Sequence, residues 1–176
     1  WQEGETMEAF LAGADRRQDH WASNWALSEE VDPSVLARAR AVGGEWKVLS
    51  VAVAGCSDSV NTVPFLGRLA SLVEGIDLRI IDSNDGRWIM EDNRTPDGRP
   101  ATPTFILLGP DFEKKGCFIE RPVELQTTLI ANPDGIDGES PFNWKMAWYE
   151  EDAGASTIEE FVGILEAASR GEMVCG

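Results

Sequence analysis

The chain has 176 residues, of which 43% are hydrophobic and 26% charged, a balance typical of one soluble globular domain rather than of a disordered or fibrous protein. Its formal net charge of −16 would repel the phosphate backbone of a nucleic acid, so we expect no nucleic-acid partner. No stretch approaches the roughly 20 apolar residues of a membrane-spanning helix, so we expect no membrane partner either.

A helical extension is predicted for residues 1–43, packed on the domain that follows. Between Thr6 and Leu27 the apolar residues recur at three- and four-residue spacing, which indicates one long or two short amphipathic helices. A further helix begins in "DPSVLARARAV", because Asp32 suits the cap position and Pro33 suits the first turn. This helix is predicted to end at the glycine pair 43–44.

The segments that follow predict a domain over residues 44–170. "WKVLSVAVA" is apolar on both faces, which is typical of a central strand buried on both sides of a sheet. The chain then passes through "GCSDS" into a predicted helix, in which apolar residues recur at helical spacing from Val60 to Val73. Pro64 lies inside this helix, where it removes one hydrogen bond and forces a kink.

Three more strand-like segments complete the predicted sheet. "IDLRIID" alternates apolar and polar residues, and the apolar segments "PTFILLG" and "CFIE" are joined by a hairpin-like connection. A helix is predicted from Val123 to Ala131, and a last helix lies near the C-terminus. This order predicts an α/β fold, a mixed sheet with helices on both faces.

Two segments near the C-terminus lack a clear pattern. Residues 132–154 combine turn residues with four aromatic residues and have no helical or strand periodicity, so we interpret them as an aromatic insertion before the last helix. Residues 171–176 are predicted to be a flexible tail.

The three cysteines, at positions 56, 117 and 175, are an odd number and do not resemble a disulfide framework. This favours a reducing compartment, which we take to be the cytoplasm. We interpret Cys117 as a packed or edge residue of a strand, and Cys175 as part of the mobile tail. Either of them could resolve a mixed disulfide at a reactive cysteine, Cys175 by reaching it from that tail.

Cys56 is the candidate nucleophile, because it stands where a buried strand meets the start of a helix. Free backbone N–H groups and the helix dipole at such a point favour an anion, and they lower the pKa of a cysteine there. Ser57 and Asp58 lie in the first turn and are candidates for tuning the thiol, although capping of the helix is the simpler role for Asp58. A buried, purely structural thiol is the alternative for Cys56, since free cysteines are usually buried.

The chain contains one histidine and no glycine-rich phosphate loop, so we expect neither a metal nor an organic cofactor. The acidic stretch "NPDGIDGE" does not have the spacing of an EF-hand calcium loop.

These features together resemble the thioredoxin family. A cysteine opens a helix after a buried strand, a proline kinks that helix eight residues later at Pro64, and "ATPTF" supplies the family's cis-proline at Pro103 after Thr102. The motifs "GCSD", "NTVP" and "RPVEL" are similar to those of a bacterial branch of uncharacterised thioredoxin-like proteins with a W-C-G-D site. The resemblance covers about residues 44–131 and, with the last helix, extends to about residue 168. It implies that Thr102 and Pro103 shape a substrate groove, where an extended segment can pair as an added strand.

The sequence also departs from the family at three positions. Ser59 stands where the second, resolving cysteine is expected, so the site is of the Cys-x-x-Ser type. Gly55 replaces the tryptophan that usually precedes the first cysteine, and Ser50 replaces the buried acid of the preceding strand. Because a dithiol cycle needs one thiol to attack and a second to release the mixed disulfide, ordinary thioredoxin turnover is not expected here.

Two functions remain open at this point. The first is thiol–disulfide exchange with Cys56 as a single nucleophile, acting on protein or low-molecular-weight thiols and disulfides in an oxidoreductase, isomerase or deglutathionylating reaction. The second is a non-catalytic binding module that has lost its redox activity and holds a partner in the groove at Thr102 and Pro103. Retention of Cys56 favours the first, and the substitutions at Ser59, Gly55 and Ser50 favour the second.

Overall fold

Five strands form one mixed sheet in the computed structural model, which describes all residues 1–176. The strands are β1 (Trp46–Ala52), β2 (Ile76–Asp82), β3 (Thr104–Leu108), β4 (Lys114–Ile119) and β5 (Val174–Cys175). Their order across the sheet is β2-β1-β3-β4-β5. β1 pairs in parallel with β2 and antiparallel with β3, β3 pairs antiparallel with β4, and β5 pairs in parallel with β4. The predicted α/β fold with a mixed sheet is confirmed.

Eight helices surround this sheet: α1 (Met7–Gly13), α2 (Gln18–Leu27), α3 (Pro33–Val42), α4 (Ser57–Leu72), α5 (Arg87–Asp92), α6 (Val123–Ala131), α7 (Pro141–Asp152) and α8 (Ala155–Ser169). The segment from residue 6 to residue 27 therefore forms two short helices rather than one long one. None of the eight helices has the length and apolar character needed to cross a bilayer.

The N-terminal extension is tied to the domain by hydrogen bonds as well as by apolar packing. Trp21 of α2 is almost fully buried, and its indole N–H donates to the carbonyl oxygen of Ala54 at 3.0 Å. Asn24, one turn later, donates from Nδ2 to the carbonyl oxygen of Val60 at 2.7 Å. Helix α2 therefore lies against the start of α4, close to the candidate nucleophile.

The main core lies between the sheet and helices α4 and α8. Phe105 of β3 is fully buried and packs edge-to-face on Phe118 of β4 and Phe161 of α8, with ring centroids 5.8 and 6.5 Å apart. Pro64 lies inside α4, as predicted, and α4 remains one continuous helix of 16 residues. This core holds β1 and α4 in place, and these two elements carry Cys56 at their junction.

The interpretation of residues 132–154 as an insertion without regular structure needs correction, because α7 occupies residues 141–152. Its buried side chains are Lys145 and Tyr149, so its inward face is polar and aromatic rather than aliphatic. An apolar repeat cannot mark a helix of this kind, which explains why the sequence pattern missed it.

The expectation of a mobile tail and unpaired cysteines was wrong. Cys117 of β4 and Cys175 of β5 form a disulfide, and they face each other in the parallel register of the two strands. The backbone N–H of Gly176 also donates to the carbonyl oxygen of Cys117 at 3.0 Å. The tail is therefore the fifth strand of the sheet, and Cys56 is the one free cysteine.

Candidate active site

Cys56 occupies the N-cap position of α4, immediately after the turn that follows β1. Its thiol lies 3.2 Å from the carbonyl oxygen of Thr102, to which the S–H donates. The residue is half-buried, so the sulfur is held by the protein while the site remains open to solvent. No side chain caps the helix at this point, which leaves the first-turn N–H groups available to an anion.

The loop opposite Cys56 carries Thr102 and Pro103, and the peptide bond between them is cis. The carbonyl oxygen of Pro103 accepts from the N–H of Glu120 at 2.7 Å, and the hydroxyl of Thr104 donates to the carbonyl of Ala101 at 2.8 Å. These bonds tie the loop to β4 and to itself. The structure therefore brings three predicted site residues, Cys56, Thr102 and Pro103, to one place.

Ser59 lies one helical turn after Cys56 and is fully buried. Its hydroxyl accepts from the backbone N–H of Val53 at 3.4 Å, a long contact. Ser50 of β1 is also fully buried, and its hydroxyl has no hydrogen-bond partner. The two positions that hold a thiol and an acid in a dithiol site are thus small hydroxyl residues here.

Asp58 does not cap α4, contrary to the simpler sequence interpretation. Its buried carboxylate accepts from Lys145 Nζ at 2.7 Å and from the Tyr149 hydroxyl at 2.9 Å, and Arg121 Nε lies 3.3 Å away. We call these four residues the Asp58 cluster. The cluster joins the first turn of α4 to α7 and to the turn after β4, two elements distant in sequence.

The Asp58 cluster continues into further charged groups, in which each acid is paired with at least one basic side chain. Arg121 is paired with Glu120, which is buried and also accepts from Arg99 Nη2 at 3.0 Å. Lys145 Nζ additionally donates to the Ser57 hydroxyl at 3.0 Å. Ser57 and Asp58 are therefore both held by Lys145, in the turn directly after the nucleophile.

Nowhere does the chain bring together three or more His, Cys, Asp or Glu side chains that could hold a metal ion.

Tyr149 has a strongly perturbed phenol within this cluster. Burial raises its pKa well above its usual value of about 10, and the negative charge of Asp58 raises that pKa further. The phenol therefore stays protonated and remains a hydrogen-bond donor to Asp58.

Two arginines beside Cys56 were missed by sequence reasoning, which treated "DRRQD" only as an interruption between helices. Arg17 Nε donates to the carbonyl oxygen of Gly55 at 2.9 Å. Arg16 lies so close to Gly55 that a Cβ there would be 3.1 Å from its Nε. Both arginines are exposed beside Gly55, the residue before Cys56, and we call them the basic rim. The only signal in the sequence was two adjacent arginines in an acidic chain.

An apolar groove of about 480 Å³ lies next to the same turn and includes Ala54 in its wall. Phe10 of α1 and Ile81 of β2 contribute to its lining, and Trp88 of α5 stands at its edge with 65% of its surface exposed. Asp82 and Asp85 also line the groove and make its charge opposite to that of the basic rim.

Comparison with known proteins finds one matching family model and solved structures with a similar fold. A family model described as thioredoxin matches residues 4–134. The crystal structure of a Pseudomonas aeruginosa protein of unknown function is similar with a TM-score of 0.73 and 21% identity, and the match covers 95% of each chain. An HIV epitope scaffold is similar with a TM-score of 0.72 and 22% identity over 94% of each chain. No curated protein sequence matches this chain.

Proposed function

The chain belongs to the thioredoxin family, and from this premise we propose that it carries out thiol–disulfide exchange with Cys56 as its single nucleophile. The observation that carries the proposal is the position of the thiol. Cys56 is the free cysteine, it occupies the N-cap position of a 16-residue helix, and its sulfur lies 3.2 Å from Thr102 O beside the Pro103 peptide bond.

The reaction is an exchange of disulfide bonds with no net oxidation. The Cys56 thiolate attacks one sulfur of a substrate disulfide, forming a mixed disulfide, and the other substrate sulfur leaves as a thiolate that takes up a proton. A second, external thiol then attacks the mixed disulfide, forms a new disulfide with the substrate sulfur and releases the Cys56 thiolate. The first-turn N–H groups of α4, which have no partner within the helix, lie next to the sulfur at both stages.

The external thiol is needed because the chain offers no resolving cysteine. Ser59 holds that position in the helix, and Cys117 and Cys175 are bonded to each other. A protein dithiol cycle is therefore replaced by a monothiol cycle with a protein or low-molecular-weight thiol as co-substrate. Isomerisation of protein disulfides and removal of a small thiol from a protein are the two reaction types that such a cycle supports.

The backbone at Thr102 supplies the contact for an extended protein substrate. The carbonyl oxygen of Thr102 already accepts from the Cys56 thiol, and a substrate segment in extended form would pair beside it as an added strand. Pro103 has no N–H to donate, so an added strand would pair with the backbone of Thr102 rather than with that of Pro103.

The alternative function is a binding module without redox activity. It is favoured by Ser59 and Ser50, because both are fully buried and neither can take or give a proton in the way that a resolving thiol and its acid do. In that case the partner would bind the same groove at Thr102 and Pro103, and Cys56 would not change its redox state.

The disulfide also bears on the compartment. The cysteine count favoured a reducing, cytoplasmic location, but disulfides persist mainly in oxidising compartments. The Cys117–Cys175 bond therefore removes the argument on which the cytoplasmic assignment depended.

Trapping of the mixed disulfide tests the proposed reaction. The oxidised protein is incubated with glutathione disulfide, the mixture is quenched with acid, and the adduct is located by intact mass and peptide mapping. We expect one glutathione on Cys56, its release by added reduced glutathione, and no adduct in the Cys56→Ser variant. A wild-type protein that acquires no adduct with this or any other disulfide would support the binding module instead.

A further inference from the structure

Arg16 and Arg17 both contact the residue that precedes the nucleophile, Gly55. Arg17 Nε donates to Gly55 O at 2.9 Å, and the Arg16 side chain packs against the Cα of Gly55. A Cβ at position 55 would lie 3.1 Å from Arg16 Nε, so the exposed Arg16 side chain would have to shift by a few tenths of an ångström. The glycine found in place of the expected tryptophan therefore leaves room for Arg16 to lie this close.

Neither arginine has an acidic partner, although the chain carries a net charge of −16. The ion pairs of the protein use other basic residues, for example Arg38 with Glu166 and Arg99 with Glu120. Asp15 and Asp19 are close in sequence, but they form no ion pair with Arg16 or Arg17. Arg17 uses one of its five N–H donors and Arg16 uses none, so most of their donors are free.

The backbone at Arg17 has an unusual conformation. Arg17 has φ of 55° and ψ of 31°, the left-handed conformation, which a residue with a side chain rarely adopts. Residues held in such conformations are concentrated at functional sites, where the surrounding structure compensates for them. Here the turn brings α2 and both arginines against Gly55, one residue from Cys56.

Two guanidinium groups with free N–H donors suit a carboxylate, which arginine binds through paired hydrogen bonds. The start of α4 adds partial positive charge on the same side, since Cys56 is its N-cap residue. His20 does not add to this positive charge, because burial and then the charge of Arg17 lower its pKa.

We propose that Arg16 and Arg17 are specificity-determining residues that select substrates carrying carboxylates close to the reacting sulfur, the chemistry of an anionic low-molecular-weight thiol. This proposal rests on the exchange reaction proposed above and names its co-substrate class. The arginines orient the carboxylates while the sulfur of the same molecule meets Cys56.

The test compares three small disulfides of different charge: glutathione disulfide, which is anionic, hydroxyethyl disulfide, which is neutral, and cystamine, which is cationic. The rate constant for formation of the Cys56 adduct is measured with each, in the wild-type protein and in the Arg16→Gln/Arg17→Gln variant. An Arg16→Lys/Arg17→Lys variant keeps the charge but loses the paired geometry. Arg40→Gln is the matched control, because Arg40 contacts Leu72 O at the opposite end of α4.

We expect the ratio of the glutathione disulfide rate to the hydroxyethyl disulfide rate to fall about tenfold in the double glutamine variant. The ratio for the double lysine variant should lie between the ratios for the wild type and the double glutamine variant, and Arg40→Gln should keep the wild-type ratio. High salt should reduce the wild-type ratio, because it screens exposed charges.

An unchanged ratio in a folded glutamine variant would overturn the specificity proposal and leave the exchange reaction intact. If no disulfide reacts at Cys56 in the wild-type protein, the exchange reaction itself is overturned. The two failures are therefore distinguishable in one set of measurements.

Discussion

The thiol of Cys56 and the carbonyl oxygen of Thr102 lie 3.2 Å apart, although 46 positions separate the two residues in the sequence. The contact exists because β1 and β3 are neighbours in the sheet, so the turn after β1 and the loop before β3 meet at one edge. It places the free thiol beside the half-buried backbone of Thr102, whereas the other two cysteines are bonded to each other.

Cys56 should be the site of alkylation in the native, oxidised protein. Treatment with iodoacetamide is expected to add one label, found on Cys56 by peptide mapping, because Cys117 and Cys175 have no thiol to react. The Cys56→Ser variant should take up none, and reduction in denaturant should raise the wild-type count to three. Labels on Cys117 or Cys175 before reduction would contradict the disulfide.

Ser59→Cys should restore an internal dithiol. Residues three apart on a helix have Cα atoms about 5 Å apart, inside the range of about 4.4–6.8 Å that a disulfide spans, so Cys56 and the new cysteine are expected to pair on mild oxidation. Insulin-reduction activity should rise with it, because the second thiol releases the mixed disulfide. Ser57→Cys is the matched control, since an adjacent cysteine faces away from Cys56. A Ser59→Cys protein that forms no disulfide would show that the assigned register is wrong.

Lys145→Met should destabilise the protein by about 3 kcal/mol, because it leaves the buried carboxylate of Asp58 with one cation fewer. The free energy of unfolding is measured by urea titration. Removing Asp58 as well should cost less than the sum of the two single changes, since the groups are in direct contact. Lys115→Met is the control, because its ion pair with Glu113 is exposed, and the urea midpoint should not move. Equal effects of the two lysine variants would argue against a buried cluster.

Tyr149 should keep its proton above pH 10 for as long as the protein is folded. Its pKa is raised by burial and by Asp58, whereas in the unfolded chain it has the ordinary value of about 10. Above that pH the unfolded state therefore binds fewer protons than the folded state, and the free energy of unfolding falls as the pH rises. Tyr149 is the only tyrosine, so tyrosinate absorbance reports it alone. Ionisation near pH 10 without unfolding would contradict its burial.

Cys175→Ser should lower the free energy of unfolding by about 4 kcal/mol, the chain-entropy estimate for a disulfide that closes a loop of 58 residues. Urea unfolding of the oxidised wild-type and variant proteins measures the difference. Met173→Ser, at an exposed position of the same tail, keeps the disulfide and should leave the midpoint unchanged. If both variants unfold at the wild-type midpoint, β5 does not hold the C-terminus to β4.

Local sequence patterns were enough to predict the elements that carry the candidate site. The run "WKVLSVAVA" marked β1 by its apolar character on both faces, and helical spacing marked α4 with Pro64 inside it. Cys56 could be placed because it lies between a buried strand and a helix, a junction visible in a single stretch of chain, whereas Pro103 was placed by the resemblance to the thioredoxin family.

The partners of these residues were decided by tertiary structure. Asp58 looked like a helix cap because a cap is the only partner that local sequence offers, yet its partners Lys145 and Tyr149 come from a helix about 90 positions later. The Cys117–Cys175 bond and the contact of Arg17 with Gly55 likewise depend on which elements become neighbours. Periodicity shows on which face of its own helix or strand a residue lies. The packing of the sheet and helices determines which residues it contacts.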